Sequence, residues 1–245
     1  MISICRELCV VLINHINRLT PMNNLLEVKN VSKVYRRGNE SIYALCDVSF
    51  DMQRAEFTAI SGPSGSGKST LLNIIGTFDI ADSGQILLED DPLENISFES
   101  ADDIRQHKIG FIFQDFSLIP VMTALENVEL ALIMTIKPKN DRLNKATEML
   151  QMVGLENRLH HKPKELSGGE QQRVAIARAL VCSPSIVLAD EPTANLDRRT
   201  ALRLIDLMLT INQGLSTTFL FSTHDARILE AVPRVIKIED GRIQP

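Results

Sequence analysis

A glycine-rich stretch in the first third of the chain constrains the fold more than any other feature. Phe57–Ser61 is a short apolar run. It leads directly into Gly62-Pro63-Ser64-Gly65-Ser66-Gly67-Lys68-Ser69-Thr70, and Ser69–Phe78 then reads as a helix with Leu71, Leu72, Ile75 and Phe78 on its apolar face. Gly62, Gly67, Lys68 and Ser69 satisfy the phosphate-loop pattern G-x-x-x-x-G-K-[ST], in the strand–loop–helix setting its chemistry needs. Glycines let backbone N–H groups curl around phosphate oxygens where a Cβ would clash, and the helix that follows adds its positive dipole end. Lys68 is expected at the β- and γ-phosphates of ATP, with the Ser69 hydroxyl on Mg²⁺. A Gly-rich turn without a ligand is the plain alternative, and the flanking strand and helix argue against it.

The rest of the chain reads as a β/α core interrupted by a helical insertion. Ile109–Phe113, Ile186–Ala189 and Thr218–Phe221 are compact apolar runs of the buried parallel-strand kind. Leu26–Tyr35 and Tyr43–Met52 suggest two strands of a smaller sheet, joined across Arg37-Gly38-Asn39. Val235–Ile238 and Arg242-Ile243 suggest a terminal hairpin turning at Asp240-Gly241. Between Gln114 and Val181 the pattern turns helical. Thr123 and Glu126 form a capping box opening a helix over Ala124–Thr135. Pro138 precedes another helix, with Leu143, Ala146, Leu150 and Val153 on its apolar face and Gly154 at its end. A length of 245 residues suits one large α/β domain or two small ones.

Composition excludes several classes. With 26 Lys+Arg against 31 Asp+Glu and no Trp, the chain lacks the clustered positive charge of a duplex-binding protein. Cys5, Cys9, Cys46 and Cys182 match no CxxC or zinc spacing and read as reduced thiols. The longest apolar runs, Leu8–Ile13 and Leu130–Ile136, fall far short of the roughly 18 residues of a spanning helix. Work at a membrane would therefore need a partner to hold the chain there. Met1–Asn24 reads apart from the remainder. Its apolar patch follows Arg6 and Glu7 and lacks the positive flank and cleavage site of a secretory signal. An amphipathic surface helix and an upstream start, with Met22 as the true first residue, both stay open, and the segment is assigned no function.

Three further positions suit a phosphate-loop ATPase. Ile186–Ala189 ends in Asp190 and Glu191: Asp190 suits the Mg²⁺ shell, and Glu191 suits the general base that polarises the attacking water. Gln114 follows the run Ile109–Phe113, where its side-chain carbonyl can touch Mg²⁺ and that water, and His224 follows Thr218–Phe221 within reach of a γ-phosphate. A lone Gln or His is more often structural. Positions at the carboxyl ends of parallel strands, where open α/β sheets bind ligands, favour the functional reading here.

Leu166–Arg173 reads LSGGEQQR. Ser167 and Glu170 form a second capping box, and Gly168 and Gly169 leave that helix start bare, which makes a second anion-binding helix end. One nucleotide does not easily occupy both ends in one chain. A head-to-tail homodimer, each chain's LSGG capping the other's γ-phosphate, satisfies both at once.

With these strings the sequence resembles the ATP-binding-cassette (ABC) ATPases from about Leu25 to Gly241, through GPSGSGKST, Gln114, LSGGEQQR, LADEPTANLD (Leu188–Asp197) and STHD (Ser222–Asp225). The resemblance implies an α/β P-loop NTPase fold with a mixed β core, a small antiparallel β subdomain and a helical subdomain at about 115–180. The cassette would occupy 25–245. It also implies that Tyr35 stacks on adenine, that Asn195–Asp197 cross the dimer interface, and that His224 is the switch histidine.

Within the family, Ile109–Pro120 and Thr123–Val128 look most like the lipoprotein-releasing and macrolide-export ATPases. That similarity implies an ATP-hydrolysing subunit on the cytoplasmic face of the bacterial inner membrane, powering a separately encoded permease through the insertion hinged at Gln114. Ala55, Phe78 and Ala194 depart from the usual pattern without removing a catalytic group. A regulatory ATPase of a cell-division-type complex is the alternative. A cassette acting on DNA or ribosomes is disfavoured, because the chain has no space for a long coiled-coil insertion and carries one phosphate loop. The cargo is not legible.

Overall fold

The structure, a computed structural model, describes residues 24–38 and 40–244; residues 1–23, with Cys5, Cys9 and the Leu8–Ile13 patch, lie outside the described residues. Strands β1 (Leu26–Arg37), β2 (Glu40–Met52), β3 (Phe57–Ser61), β4 (Ser83–Leu88) and β5 (Asp91–Pro92) come first. They are followed by β6 (Ile109–Ile112), β7 (Ile186–Ala189), β8 (Thr218–Thr223), β9 (Arg234–Glu239) and β10 (Arg242–Ile243). They form two sheets, an antiparallel one of four strands ordered β2-β1-β4-β5 and a larger one of six ordered β10-β9-β3-β8-β7-β6. From β9 to β6 every pairing in the larger sheet is parallel, and β10 alone returns antiparallel. This is the expected α/β fold with a mixed core sheet and a small antiparallel companion.

The central parallel strands β3, β8, β7 and β6 are mostly apolar because the sheet is covered on both faces there, whereas β9 towards the edge alternates apolar with charged residues. Side chains alternate between them. Phe57, Ala59, Val187, Ala189, Phe219 and Phe221 enter one core, while Ile60, Ile186, Leu188 and Leu220 enter the other. In the first core the Phe57 ring lies 5.6 Å from Phe219 and 5.3 Å from Phe221, in tilted arrangements that favour aromatic pairs. The helices covering this sheet are α1 (Lys68–Ile75), α2 (Phe98–His107), α3 (Ala124–Glu129), α4 (Lys139–Met152), α5 (Gly168–Leu180), α6 (Arg198–Leu215) and α7 (Ala226–Leu229). The first core gathers α3, α4, α5 and α6; the second gathers α1 and the small sheet.

Several elements differ from the sequence expectation. The helix expected over Ala124–Thr135 is α-helical only to Glu129 and continues as a 3₁₀ turn, Leu130–Leu132. One carbonyl that a longer helix would have used goes to a side chain instead: Cys182 Sγ donates to Ala131 O. The helix expected over Ser69–Phe78 stops at Ile75, where Gly76 caps it and Thr77 turns left-handed at φ 57°. β1 and β2 run further towards their connection than expected. Strands β4 and β5 and helices α2, α6 and α7 had no counterpart in the sequence reading.

Candidate nucleotide site

β3, β8, β7 and β6 are consecutive neighbours in the sheet. Their carboxyl ends deliver, in that order, the phosphate loop, His224, the pair Asp190–Glu191 and Gln114. The topology thus gathers along one sheet end four groups that are up to 162 residues apart in sequence, the span from Gly62 to His224.

The loop is shaped as a cradle. Gly67 sits at φ 102°, and a Cβ there would stand 2.3 Å from the Ala44 carbonyl oxygen; glycine alone fits. That close approach comes from β2, and the small sheet is also tied to the loop through Gly241, which accepts from Cys46 N at 2.8 Å and donates to Ser66 O at 3.1 Å. No side chain caps the start of α1 and no acid lies in its first turn, so its dipole end is open to an anion. Lys68, only 5% exposed, points its ammonium back at the loop, donating to Gly62 O at 2.9 Å and Pro63 O at 2.8 Å. Ser66 Oγ is buried without a hydrogen-bond partner. A bare helix start, an enclosed lysine and an orphaned hydroxyl fit a polyphosphate, and the exposed Ser69 hydroxyl, with the Asp190 carboxylate at the same end of the sheet across β8, offers the hard oxygen ligands that suit a cation such as Mg²⁺.

Tyr35 is brought to the same helix. Its hydroxyl donates to Asp79 Oδ2 at 2.5 Å, and Lys33 Nζ bridges from Asp79 Oδ1, at 2.7 Å, to 5.1 Å above the Tyr35 ring. Burial raises the Tyr35 hydroxyl pKa and the Asp79 bond adds to it, while a hydrogen bond with Thr70 pulls the other way. The ring is 39% exposed beside the first turn of α1.

At the other strands, the acids are held by a residue the sequence reading passed over. Ser222 Oγ donates to Asp190 Oδ1 at 2.6 Å and accepts from Glu191 N at 2.8 Å. Ser222 is the penultimate residue of β8, between Phe221 and Thr223, and no local pattern marks it. Glu191 is left-handed, φ 44°, and its Oε1 lies 3.0 Å from His224 Nδ1. The backbone of Gln114 is fixed through its carbonyl, which accepts from Asn195 Nδ2 at 2.8 Å, so Asn195 touches the segment carrying Gln114 within one chain.

Ser167–Glu170 is built as its pattern implies but faces elsewhere. Ser167 Oγ accepts from Glu170 N, and Glu170 Oε2 accepts from Ser167 N at 2.8 Å, a reciprocal capping box. Around Gly168 and Gly169 the nearest groups are Leu196, Asn195, Phe116 and Thr200, none of them in the phosphate loop. Arg158 bonds Glu170 Oε1 at 2.9 Å and, with the Ser167 amide, holds that carboxyl well below its ordinary 4.5, at about 2. Among the described residues no helix is long and apolar enough to cross a membrane, and no cluster of three or more His, Cys, Asp or Glu could hold a metal.

Comparison with known proteins agrees with this geometry. The sequence profile of the ABC transporter family matches residues 45–194. An uncharacterized ABC transporter ATP-binding protein of Methanocaldococcus jannaschii, MJ0796, is 44% identical over 224 residues, covering 90% of this chain and 95% of that protein. Another from Thermotoga maritima is 43% identical over 223 residues, covering 91% and 95%. The dimeric post-hydrolysis structure of MJ0796 bound to ADP and Pi superposes with a TM-score of 0.83 at 43% identity, covering 90% of this chain and 97% of that one. CbiO1 of Clostridium perfringens, part of the ABC transporter complex cbiONQ, superposes with a TM-score of 0.82 at 28% identity, covering 91% and 87%. On fold, motifs and similarity together, the chain belongs to the ABC transporter family as an ATP-binding cassette.

Proposed function

We propose that the chain is a Mg²⁺-dependent ATPase subunit that works as a head-to-tail homodimer and powers a separately encoded permease at the cytoplasmic face of the bacterial inner membrane. The observation that carries this reading is the convergence of Lys68, Gln114, Asp190, Glu191 and His224 at the carboxyl ends of four adjacent strands. Glu191, oriented by its left-handed backbone and by His224, is placed to take a proton from the attacking water. The loop amides and Lys68, once released from Gly62 O and Pro63 O, hold the phosphates as charge builds on them. Mg²⁺, when bound at Ser69, Gln114 and Asp190, neutralises phosphate charge.

The LSGG helix start at Gly168–Gly169, with no phosphate-loop residue of its own chain against it, supports the dimer, as does the dimeric structure of MJ0796. Ser167–Glu170 of one subunit would close over the γ-phosphate of the other, with Asn195–Asp197 at the crossing. The insertion at about 115–165, hinged at Gln114, would carry dimer closure to the permease. A groove lined by Phe78, Phe111, Met134 and Arg178 lies beside it and supports this. The strings Ile109–Pro120 and Thr123–Val128 favour the lipoprotein-release or macrolide-export type over a regulatory, cargo-free complex.

The deciding experiment is Mg²⁺-dependent ATP hydrolysis by Glu191→Gln beside the wild type. Turnover is expected to fall about 10²–10⁴-fold, with ATP binding retained and a stable dimer accumulating on ATP addition. Unchanged turnover would remove Glu191 from its role. Pull-down from mildly solubilised membranes is expected to recover an integral membrane protein, and its identity separates the transport reading from the regulatory one.

A further inference from the structure

The segment that carries Gln114 away from β6 is held in a costly backbone state. Phe116 and Ser117 are consecutive non-glycine residues in the left-handed region, with φ of 63° and 46°. L-residues enter that region at a penalty, and two in succession persist only when the surroundings impose them. The imposing group is Arg178 on α5. Its Nη1 donates to Ser117 O at 2.5 Å and its Nη2 donates to Phe116 O at 3.0 Å. One planar fork thus holds the carbonyls of both strained residues, which the point charge of a lysine does not reproduce.

The neighbouring bonds complete the clamp. Gln114 O accepts from Asn195 Nδ2 at 2.8 Å on one side, and on the other the Ile119 amide donates to Asn127 Oδ1 at 2.8 Å. Within the turn, Ser117 Oγ donates to Asp115 Oδ1 at 2.6 Å. Gln114 is therefore the leading residue of a strained turn whose shape depends on one side chain from α5. Arg178 is half-buried and also forms part of the wall of the groove with Phe78 and Phe111.

We propose that Arg178 is a positioning residue for the nucleotide site: by holding the left-handed turn at Phe116 and Ser117, it fixes how far Gln114 reaches toward the phosphates. The part played by Gln114 rests on the ATPase reading above, whereas the latch between Arg178 and the turn stands independently of it.

The test compares Arg178→Lys with and without Ser117→Gly, in the full chain. Three quantities are read: hydrogen exchange at the Ile119 amide without nucleotide, thermal unfolding, and the kcat and KM of Mg²⁺-dependent ATP hydrolysis. Arg178→Lys is expected to speed Ile119 exchange about tenfold and to lower kcat by about ten- to a hundredfold. KM for ATP and global unfolding should stay near wild type. Glycine adopts the left-handed region without penalty, so adding Ser117→Gly, which relieves one of the two strained residues, is expected to recover part of the loss in both exchange and kcat. Unchanged exchange in Arg178→Lys, or no recovery with Ser117→Gly, would overturn the latch. Faster exchange with unaltered kcat would overturn its role at the nucleotide site. Should Arg178→Lys fail to fold, Ser117→Val and Ser117→Gly carry the comparison, since both lose the Asp115 bond but only the β-branched residue resists positive φ. Opening and loss of kcat are then expected in Ser117→Val alone, and equal behaviour of the two would refute the proposal. A wild type that hydrolyses no ATP would count against the ATPase reading, while the exchange comparison would still judge the latch.

Discussion

Ser222 donates its hydroxyl proton to Asp190 Oδ1 at 2.6 Å, and the same oxygen accepts the amide of Glu191 at 2.8 Å. One buried hydroxyl therefore sets the carboxylate of the first acid and holds the backbone of the second, which sits in the left-handed region. Ser222→Ala leaves an acceptor on Asp190 and the Glu191 amide without this partner; both residues are half-buried, so the cost is expected at about 1 kcal/mol, the low end for unpaired polar groups. The variant is expected to unfold at lower denaturant and to lose kcat more than ATP affinity. Denaturant titration together with steady-state kinetics checks this, and an unaltered kcat would show that Glu191 needs no such support.

The two glycines of the LSGG string answer to different constraints. A Cβ on Gly169 would stand 2.6 Å from Thr200 Cγ2, whereas one on Gly168 meets only ordinary contact, 3.4 Å from Leu196 Cδ2. Gly169→Ala is expected to destabilise the single chain by about 1–3 kcal/mol through overpacking, partly offset by the better helix propensity of alanine. Gly168→Ala is expected to leave stability unchanged or slightly raised while lowering ATP hydrolysis, if Gly168 belongs to the helix end that closes over the second subunit's nucleotide as proposed. Thermal unfolding and ATPase assays on both variants separate the two effects. A fully active Gly168→Ala would speak against the shared site.

Legibility in the sequence followed the range of each cause. The phosphate loop, the strand-end acids and the capping boxes at Thr123 and Ser167 are set by residues within a few positions of one another, and each stands in the structure where its pattern placed it. Ser222, Asp79 and Arg178 were missed because each acts on partners 31 to 62 residues away, with no local pattern to mark it. The overlong helix after Thr123 failed for the same reason. Cys182, just past α5, takes the Ala131 carbonyl that a continuing helix would use. β5 is only two exposed residues, and β4 opens on exposed Ser83, Gly84 and Gln85, which leaves Ile86–Leu88 too brief an apolar run to mark a strand by itself.

Glu170 gives the site a readable pH dependence. The Arg158 hydrogen bond, then the Ser167 amide, hold its carboxyl at about 2 against an ordinary 4.5. A carboxylate depressed in the folded state contributes stability above about pH 4.5, and that contribution is lost as pH falls towards 2. Arg158 is 44% exposed, so solvent screening limits the pair to about 1 kcal/mol or less. The stability difference between wild type and Arg158→Ala is expected to be present at neutral pH and to shrink between pH 4.5 and 2, followed by urea titration across that window. A difference that does not change with pH would mean that Arg158 stabilises by packing instead of charge.

Tyr35 offers the sharpest separation of binding from architecture. Its ring stands beside the phosphate-loop helix while its hydroxyl is committed to Asp79. Burial pushes the Asp79 carboxyl up, but the hydrogen bonds from Lys33 and Tyr35 outweigh it and keep the group ionised below its usual range. Base stacking on an aromatic ring is worth roughly 1–3 kcal/mol, which corresponds to about five- to 150-fold in affinity. Tyr35→Ala is expected to weaken ATP binding by that factor. Tyr35→Phe keeps the ring and leaves Asp79 to Lys33, so its ATP affinity is expected to stay within about threefold of wild type, below the stacking range. Its loss is expected in stability, by about 1 kcal/mol. Calorimetric ATP titration and thermal unfolding of the two variants decide the matter. Equal affinity in both would assign Tyr35 to the Asp79 network alone and move the adenine contact elsewhere on the loop.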